Sequence, residues 1–231
     1  MLVVAHQANY FPYPGFFNKL TMADTYVVLD DVQYQYDYTN RNKIITRDGN
    51  WIRITIPTKK EHKFSPIFQV EINNKLNWRE TNWQKIFTSY HDAPFFNLYK
   101  DYLEKLYRQE WNMLFEINFE IIKKTLEWLD IKINIIRSSE LNVSGTGTER
   151  LVNICKATGA DVYVSGIGGR FYLNEKLFNN NNISLRYQNY TAVTYSQHLS
   201  KSFIPNLSVI DLLSNMGPTS LSVINSGKNN K

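Results

Sequence analysis

The chain has 231 residues, 43% apolar, 14% aromatic and 20% charged, with 26 Lys and Arg set against 21 Asp and Glu for a formal net charge of +5. A chain of this length buries a full core and reads as one elaborated domain rather than two equal ones, and its composition excludes an intrinsically disordered protein. The basic residues are dispersed, with no tract of the kind that binds nucleic acid, although mild basicity suits phosphate-bearing small ligands.

The first element is the apolar run Leu2 to Ala5, a short strand. No basic region precedes it and it turns polar at His6, so MLVVAHQANYF does not read as a signal peptide. The turn FPYPG at 11–15 leads into a short helix marked by Phe16, Phe17, Leu20 and Met22. Tyr26 to Leu29 is a second buried strand ending on Asp30 and Asp31, and the two strands with their helix make a βαβ unit. Across 43–72 the character changes: Lys43 to Thr46, Trp51 to Pro57 and Ile67 to Ile72 are β-rich, with Asp48-Gly49 as a turn, which predicts an inserted small antiparallel β segment. Helical spacing then holds over about 78–130, strongest at Leu114, Ile117 and Ile121, and predicts a helical region of two or three helices.

Ile133 to Ile136 reads as a strand, and Thr146 with Glu149 as a capping box opening a helix through Leu151, Ile154 and Cys155 to a stop at Gly159. Cys155 stands alone in the sequence, which rules out an intrachain disulfide framework and a cysteine-based zinc site and suits a reducing cytoplasm. Its place on an apolar helix face makes it a core thiol. A strand follows at Val162 to Val164, and strand and helix alternate once more around Ile183 to Tyr187 and Leu207 to Leu213. The whole predicts an α/β fold with a mainly parallel, Rossmann-like sheet in a single domain over 1–217, and a flexible tail over 218–231. No apolar run approaches the roughly 18 to 20 residues that span a bilayer, so no membrane span and a cytoplasmic protein are expected.

In a parallel sheet the ligand crevice lies beyond the carboxyl ends of the strands, which singles out three polar clusters. After the first strand come His6, Gln7, Asn9 and Tyr10; His6 suits a general base, or else a histidine that caps the loop. After the second come Asp30, Asp31 and Gln33, where the acids suit holding an ammonium group or serve as a structural pair; no histidine pattern completes a metal-ligand set, and no metal is expected. After the Val162 strand comes Ser165 to Arg170, whose Gly166 and Gly169 amides suit an anion with Arg170 adding charge, although the run matches neither a Walker nor a dinucleotide pattern and glycines at a tight turn are the plain alternative. Asn40, Arg41 and Asn42 offer a guanidinium fork for phosphate or carboxylate, or a surface arginine beside a hairpin. Tyr10, Tyr13, Tyr172, Tyr195 and the nearby Gln197 are the remaining substrate-binding candidates.

The segments HQANYFPYPGFFNKL (6–20), ADTYVVLDDVQY (23–34), NRNKI (40–44), DVYVSGIGGRFYL (161–173) and SVIDLLSNMG (208–217), in this order, resemble the WbqC-like protein family over about the whole chain. Ala8 stands where the family's usual residue after His-Gln is proline. The resemblance implies a place in O-antigen or related surface-polysaccharide biosynthesis, with transfer of glycine or another amino acid to an amino sugar; it assigns no catalytic residue. The expected reaction is N-acyl transfer to a nucleotide-linked amino sugar. In it His6 deprotonates the amine, Asp30 or Asp31 orients it, amides near Ser165 and Gly166 hold the oxyanion, and Arg41 or Arg170 clamps the pyrophosphate. No cofactor is evident beyond a carrier-bound acyl donor, which would make an acyl carrier protein a partner, or ATP. Two alternatives stay open: an ATP-dependent ligase or nucleotidyl-type enzyme, and a non-catalytic module that binds a sugar nucleotide.

Overall fold

The computed structural model describes residues 1–227. Five strands, β1 (Leu2–His6), β2 (Thr25–Val28), β5 (Asn134–Arg137), β6 (Val162–Ser165) and β7 (Ser184–Tyr187), form one sheet in the order β5-β2-β1-β6-β7. Every neighbouring pair in it is parallel. The connections carry α1 (Pro14–Leu20), α4 (Leu114–Trp128), α5 (Gly147–Thr158) and α6 (Glu175–Asn179). The expected α/β class with its parallel sheet is what forms.

The central strands are apolar on both faces because both faces are covered. Val4, Tyr26 and Val28 enter a large core shared with Phe16, Phe17 and Leu20 of α1 and Leu114, Ile117 and Ile121 of α4. Val3, Ala5 and Val27, the residues between them, enter a second core with Val152, Ile154 and Cys155 of α5 and Phe178 of α6. A period of two thus sorts one strand's side chains between two cores.

The insertion is a two-stranded antiparallel hairpin of β3 (Arg41–Ile45) and β4 (Trp51–Thr55), turned at Gly49 with φ of 79°. Its inward Ile44, Ile45 and Ile54 join the large core together with α2 (Trp78–Tyr90), α3 (Lys100–Arg108) and α7 (Val209–Met216). The segment Ile67 to Ile72 departs from expectation. It forms a 3-10 turn at Ile67–Gln69 and then isolated bridges, Thr58 to Ile72 and Glu71 to Met113. Its apolar residues Ile67, Val70 and Ile72 are buried against other elements rather than paired along a strand.

Two further expectations are corrected. Helix α5 opens after Thr146, but the Thr146 side chain makes no capping hydrogen bond; the helix ends as expected on Gly159, in the left-handed region at φ of 70°. Residues 217–226 are not a loose tail: a 3-10 turn leads into α8 (Ser220–Ser226), which packs on α1 with Ile224 fully buried and its carbonyl receiving the Asn18 side chain at 2.9 Å. The rest of the expected tail, 228–231, lies outside the described residues. No helix among the described residues is long and apolar enough to cross a membrane.

Candidate functional site

Strand order reverses at β1, since β2 lies on one side of it and β6 on the other, so the crevice of this sheet opens at the carboxyl ends of β1 and β6. His6 is the last residue of β1. Three cavities meet there. One of about 330 Å³ is walled by Ala5, Leu29, Val32, Leu151 and Tyr163, with His6, Gln7, Arg150 and Tyr172 as its polar edge. A second, of about 220 Å³, again has His6 and Gln7 in its wall, with Asn9, Tyr13, Asp37, Tyr38 and Asn42. Through Tyr13 and Tyr38 it adjoins a third of about 550 Å³, lined also by Gly166, Gly168, Gln188 and Tyr190.

The loop that carries His6 and Gln7 is held from below by buried side chains. Asn118 of α4 donates to the Ala8 carbonyl at 2.8 Å, and Asn42 of β3 donates to the Phe11 carbonyl at 2.6 Å. The Tyr26 hydroxyl donates to the His6 carbonyl at 3.2 Å. His6 Nδ1 lies 3.1 Å from the Gln7 carbonyl, which fixes it as the N–H donor and leaves Nε2 as an acceptor. The ring packs edge-on against Phe16 at 5.2 Å between centroids. Burial, and then the nearby charge of Lys19, push the His6 pKa down to about 3, against the opposing backbone hydrogen bond. At neutral pH the ring is therefore uncharged, a hydrogen-bond acceptor rather than a strong base.

On the other side of the crevice the glycines differ in what they do. A Cβ on Gly169 would sit 2.1 Å from Ser165 Oγ, so that glycine is a packing requirement. Gly166 and Gly168 have open space where a Cβ would be, and neither has positive φ, so the protein's own fold does not demand glycine at either. Both line the cavity of about 550 Å³, where a missing Cβ lets a ligand approach the backbone. Gly15 serves the same cavity indirectly: its bare Cα lets the Tyr13 and Tyr190 rings close over the start of α1, 6.4 Å apart.

Of the residues singled out in the sequence, His6, Gln7, Asn9, Tyr13, Gly166 and Tyr172 reach these cavities. Asp30 and Asp31, expected to orient an ammonium group, already have partners. Asp30, fully buried, receives Arg137 at 2.7 Å, the Ser139 amide at 2.9 Å and the Ser138 and Ser139 hydroxyls. Burial raises its pKa, but these donors outweigh burial and hold it below the usual carboxylate range. Asp31 pairs with Arg150 at 2.5 Å. Tyr10 is fully buried with its hydroxyl on Tyr107, and Asn40 spends its amide on the Ile56 carbonyl at 2.8 Å. Asn42, though it borders a cavity, is 2% exposed and acts by holding the loop. Arg41 lies over the Tyr36 ring and Arg170 over the Tyr187 ring, and Gln33 is an exposed bridge to Pro66. Tyr195 and Gln197 both donate to the buried Asp211, at 2.8 and 2.9 Å, in a separate network that ties the C-terminal segment to α7.

Sequence reasoning missed Tyr38, Gln188, Tyr190 and Arg150, which come to the crevice from three places in the chain with no local pattern to flag them. It also missed Lys19, for which a signal existed: a lysine inside the apolar helix run FFNKL, where every residue is buried. Arg150 carries its own mark, since its Nε–H is buried without a partner among the described residues while its other nitrogens bind Asp31 and the Val143 carbonyl.

A family model described as the WbqC-like protein family matches residues 7–223. The chain is 29% identical over 214 residues, 91% of its own length and 92% of the relative's, to an uncharacterized protein of Mycobacterium tuberculosis, Rv1507c. No solved structure matches the chain.

Proposed function

The chain belongs to the WbqC-like protein family, and from that footing we propose that it transfers an acyl group, glycyl or another aminoacyl, to the amine of a nucleotide-linked amino sugar in surface-polysaccharide biosynthesis. The observation that carries this reading is the position of His6 and Gln7, which stand in the walls of two different cavities. Group transfer needs two substrates whose reacting atoms meet at one point, each held from its own side.

The chamber through Tyr13, Tyr38 and Tyr190 suits the sugar nucleotide: aromatic faces for a base or sugar, Gln188 and Asn9 for hydroxyls, and Gly166 and Gly168 where backbone approaches the ligand. The smaller cavity, apolar along Ala5, Leu29, Val32 and Leu151 with Arg150 at its edge, suits an acyl donor on an anionic arm. His6 Nε2 accepts a hydrogen bond from the sugar amine, which reacts as the free base. The amine nitrogen bonds to the carbonyl carbon of a carrier-bound thioester, the carbon–sulfur bond breaks, and the amine's proton leaves with the thiol. Asp30 and Asp31 act at one remove, fixing Arg137 and Arg150.

The test is product mass after incubating the protein with dTDP- and UDP-linked amino sugars and glycine, supplied with ATP or as a glycyl-loaded carrier protein. A glycyl mass gain that His6→Ala abolishes supports the transferase. A gain that needs ATP but no carrier makes the protein a ligase, and sugar-nucleotide binding with no gain from any donor makes it a binding module.

A further inference from the structure

Four of the cations scattered along the sequence are gathered in one place by the fold. On the hairpin, Lys43 of β3 and Arg53 of β4 stand directly opposite each other. Both heads lie over the exposed Trp51 ring, 4.8 and 5.1 Å from its centroid. Arg41, two residues before Lys43 and so on the same face, lies over the exposed Tyr36 ring. Lys85 of α2 stands beside them, its ammonium 3.3 Å from the Arg53 carbonyl. Elsewhere the surface pairs its cations, as Arg47 with Asp92, Lys123 with Glu120 and Lys132 with Asp130. None of these four has a carboxylate partner among the described residues. Like charges directly opposite across two strands repel, and the Trp51 ring attracts both without neutralising either.

The backbone of the hairpin is not what this face offers a partner. Beyond β4, the Asn82 side chain takes both polar groups of Thr55. Beyond β3, the Ile45 amide donates to the Tyr90 hydroxyl, and the Lys43 carbonyl receives the Ser208 amide. An added strand therefore has no open edge to pair with, and recognition is left to side chains. The Trp51 indole N–H, like the four cations, has no hydrogen-bonded side-chain partner among the described residues. Unpaired Lys and Arg heads around an exposed Trp and Tyr suit a bilayer interface, where cations meet phosphates and amphipathic rings sit between wet headgroups and apolar chains.

We propose that this face of the hairpin docks the protein on a bilayer of anionic phospholipids, with Arg41, Lys43, Arg53 and Lys85 meeting the phosphates and Trp51 entering the headgroup layer. The docking does not rest on the transferase reading. Co-sedimentation of the full chain with vesicles of mixed phosphatidylglycerol and phosphatidylcholine, against vesicles of phosphatidylcholine alone, tests it. Binding is expected to the anionic vesicles only, and to be lost at high salt. Lys43→Gln with Arg53→Gln should weaken it about thirtyfold, at about 1 kcal/mol for each cation. Lys105→Gln with Lys156→Gln removes the same charge from exposed positions on α3 and α5, and should leave binding within about twofold of the wild type. Equal binding to neutral vesicles, binding to neither, or losses of equal size in the two double variants overturns the proposal. Retention on an immobilised acidic carrier protein or on RNA, sensitive to Lys43→Gln with Arg53→Gln and without vesicle binding, assigns the face to that partner and also overturns it.

Discussion

The side-chain nitrogen of Asn118, buried in α4, donates to the carbonyl of Ala8, 110 residues away, at 2.8 Å and also to that of Thr39 at 2.6 Å. One carboxamide therefore fixes the height of the His6–Gln7 loop above the sheet and joins it to the segment entering β3. Asn118→Ala leaves two buried carbonyls unpaired and a small void, and is expected to cost about 2 to 4 kcal/mol in urea denaturation. A loss under about 1 kcal/mol shows that water takes over both carbonyls.

Asp30 is an anchor of the fold in the same sense. Asp30→Ala strands the Arg137 cation and is expected to destabilise by about 3 to 5 kcal/mol. Its native pKa is held down, so its contribution is whole above the unfolded value of about 3.9 and is lost as pH falls through the native one. The stability gap between wild type and Asp30→Ala should accordingly narrow below about pH 4, measured by thermal unfolding across acid pH.

Gly169 and Gly166 separate packing from binding. Gly169→Ala drives a methyl into Ser165 Oγ and is expected to cost about 1 to 3 kcal/mol. Gly166→Ala, with open space for its methyl, should change stability by less than about 0.5 kcal/mol while weakening sugar-nucleotide affinity, read by calorimetry. Equal affinity in Gly166→Ala removes that wall from the ligand contact.

Lys19→Met is expected to stabilise the protein at neutral pH by about 2 to 4 kcal/mol, since it removes a buried amine that must shed its proton to fold. The native value of about 7 lies below the unfolded one of about 10.4, so the unfolded chain holds more protons between them and wild-type stability rises with pH across that window. The advantage of Lys19→Met should be largest at and below pH 7 and shrink toward pH 10. A constant advantage over that range contradicts a neutral buried amine.

His6 has the same sign at lower pH. With a native value of about 3 against an unfolded one of 6.5, its neutral ring makes stability rise with pH over that interval and fall on acidification. His6→Gln should flatten that part of the acid limb, and an unchanged limb shows the ring gains its proton in the folded state.

The parallel sheet was readable because buried strands of an α/β fold are short Val-rich runs separated by helices, and Val3, Val4, Val27 and Val28 show that pattern locally. The crevice followed from the same pattern, since the polar residues that end β1 and β6 stand where a parallel sheet opens. The run from Ile67 to Ile72 misled because burial without a strand partner leaves the same apolar composition as burial within one. The last helix was hidden because its short SLSVINS is held by α1, 200 residues earlier, rather than by its own propensity.

What the sequence determined by itself was the class of fold, the family, and the position of His6 and Gln7 at a strand end. Only the tertiary structure decided which polar residues are free. Asp30, Asp31, Tyr10, Asn40 and Asn42 have the right chemistry for a substrate, but partners far along the chain have consumed it. Lys19 looks like an ordinary helix lysine, yet the fold buries most of it and gives its ammonium no ion pair or hydrogen bond among the described residues. Hydrogen bonding and desolvation depend on neighbours within a few ångströms, and in a parallel α/β sheet those neighbours come from segments tens to hundreds of residues apart.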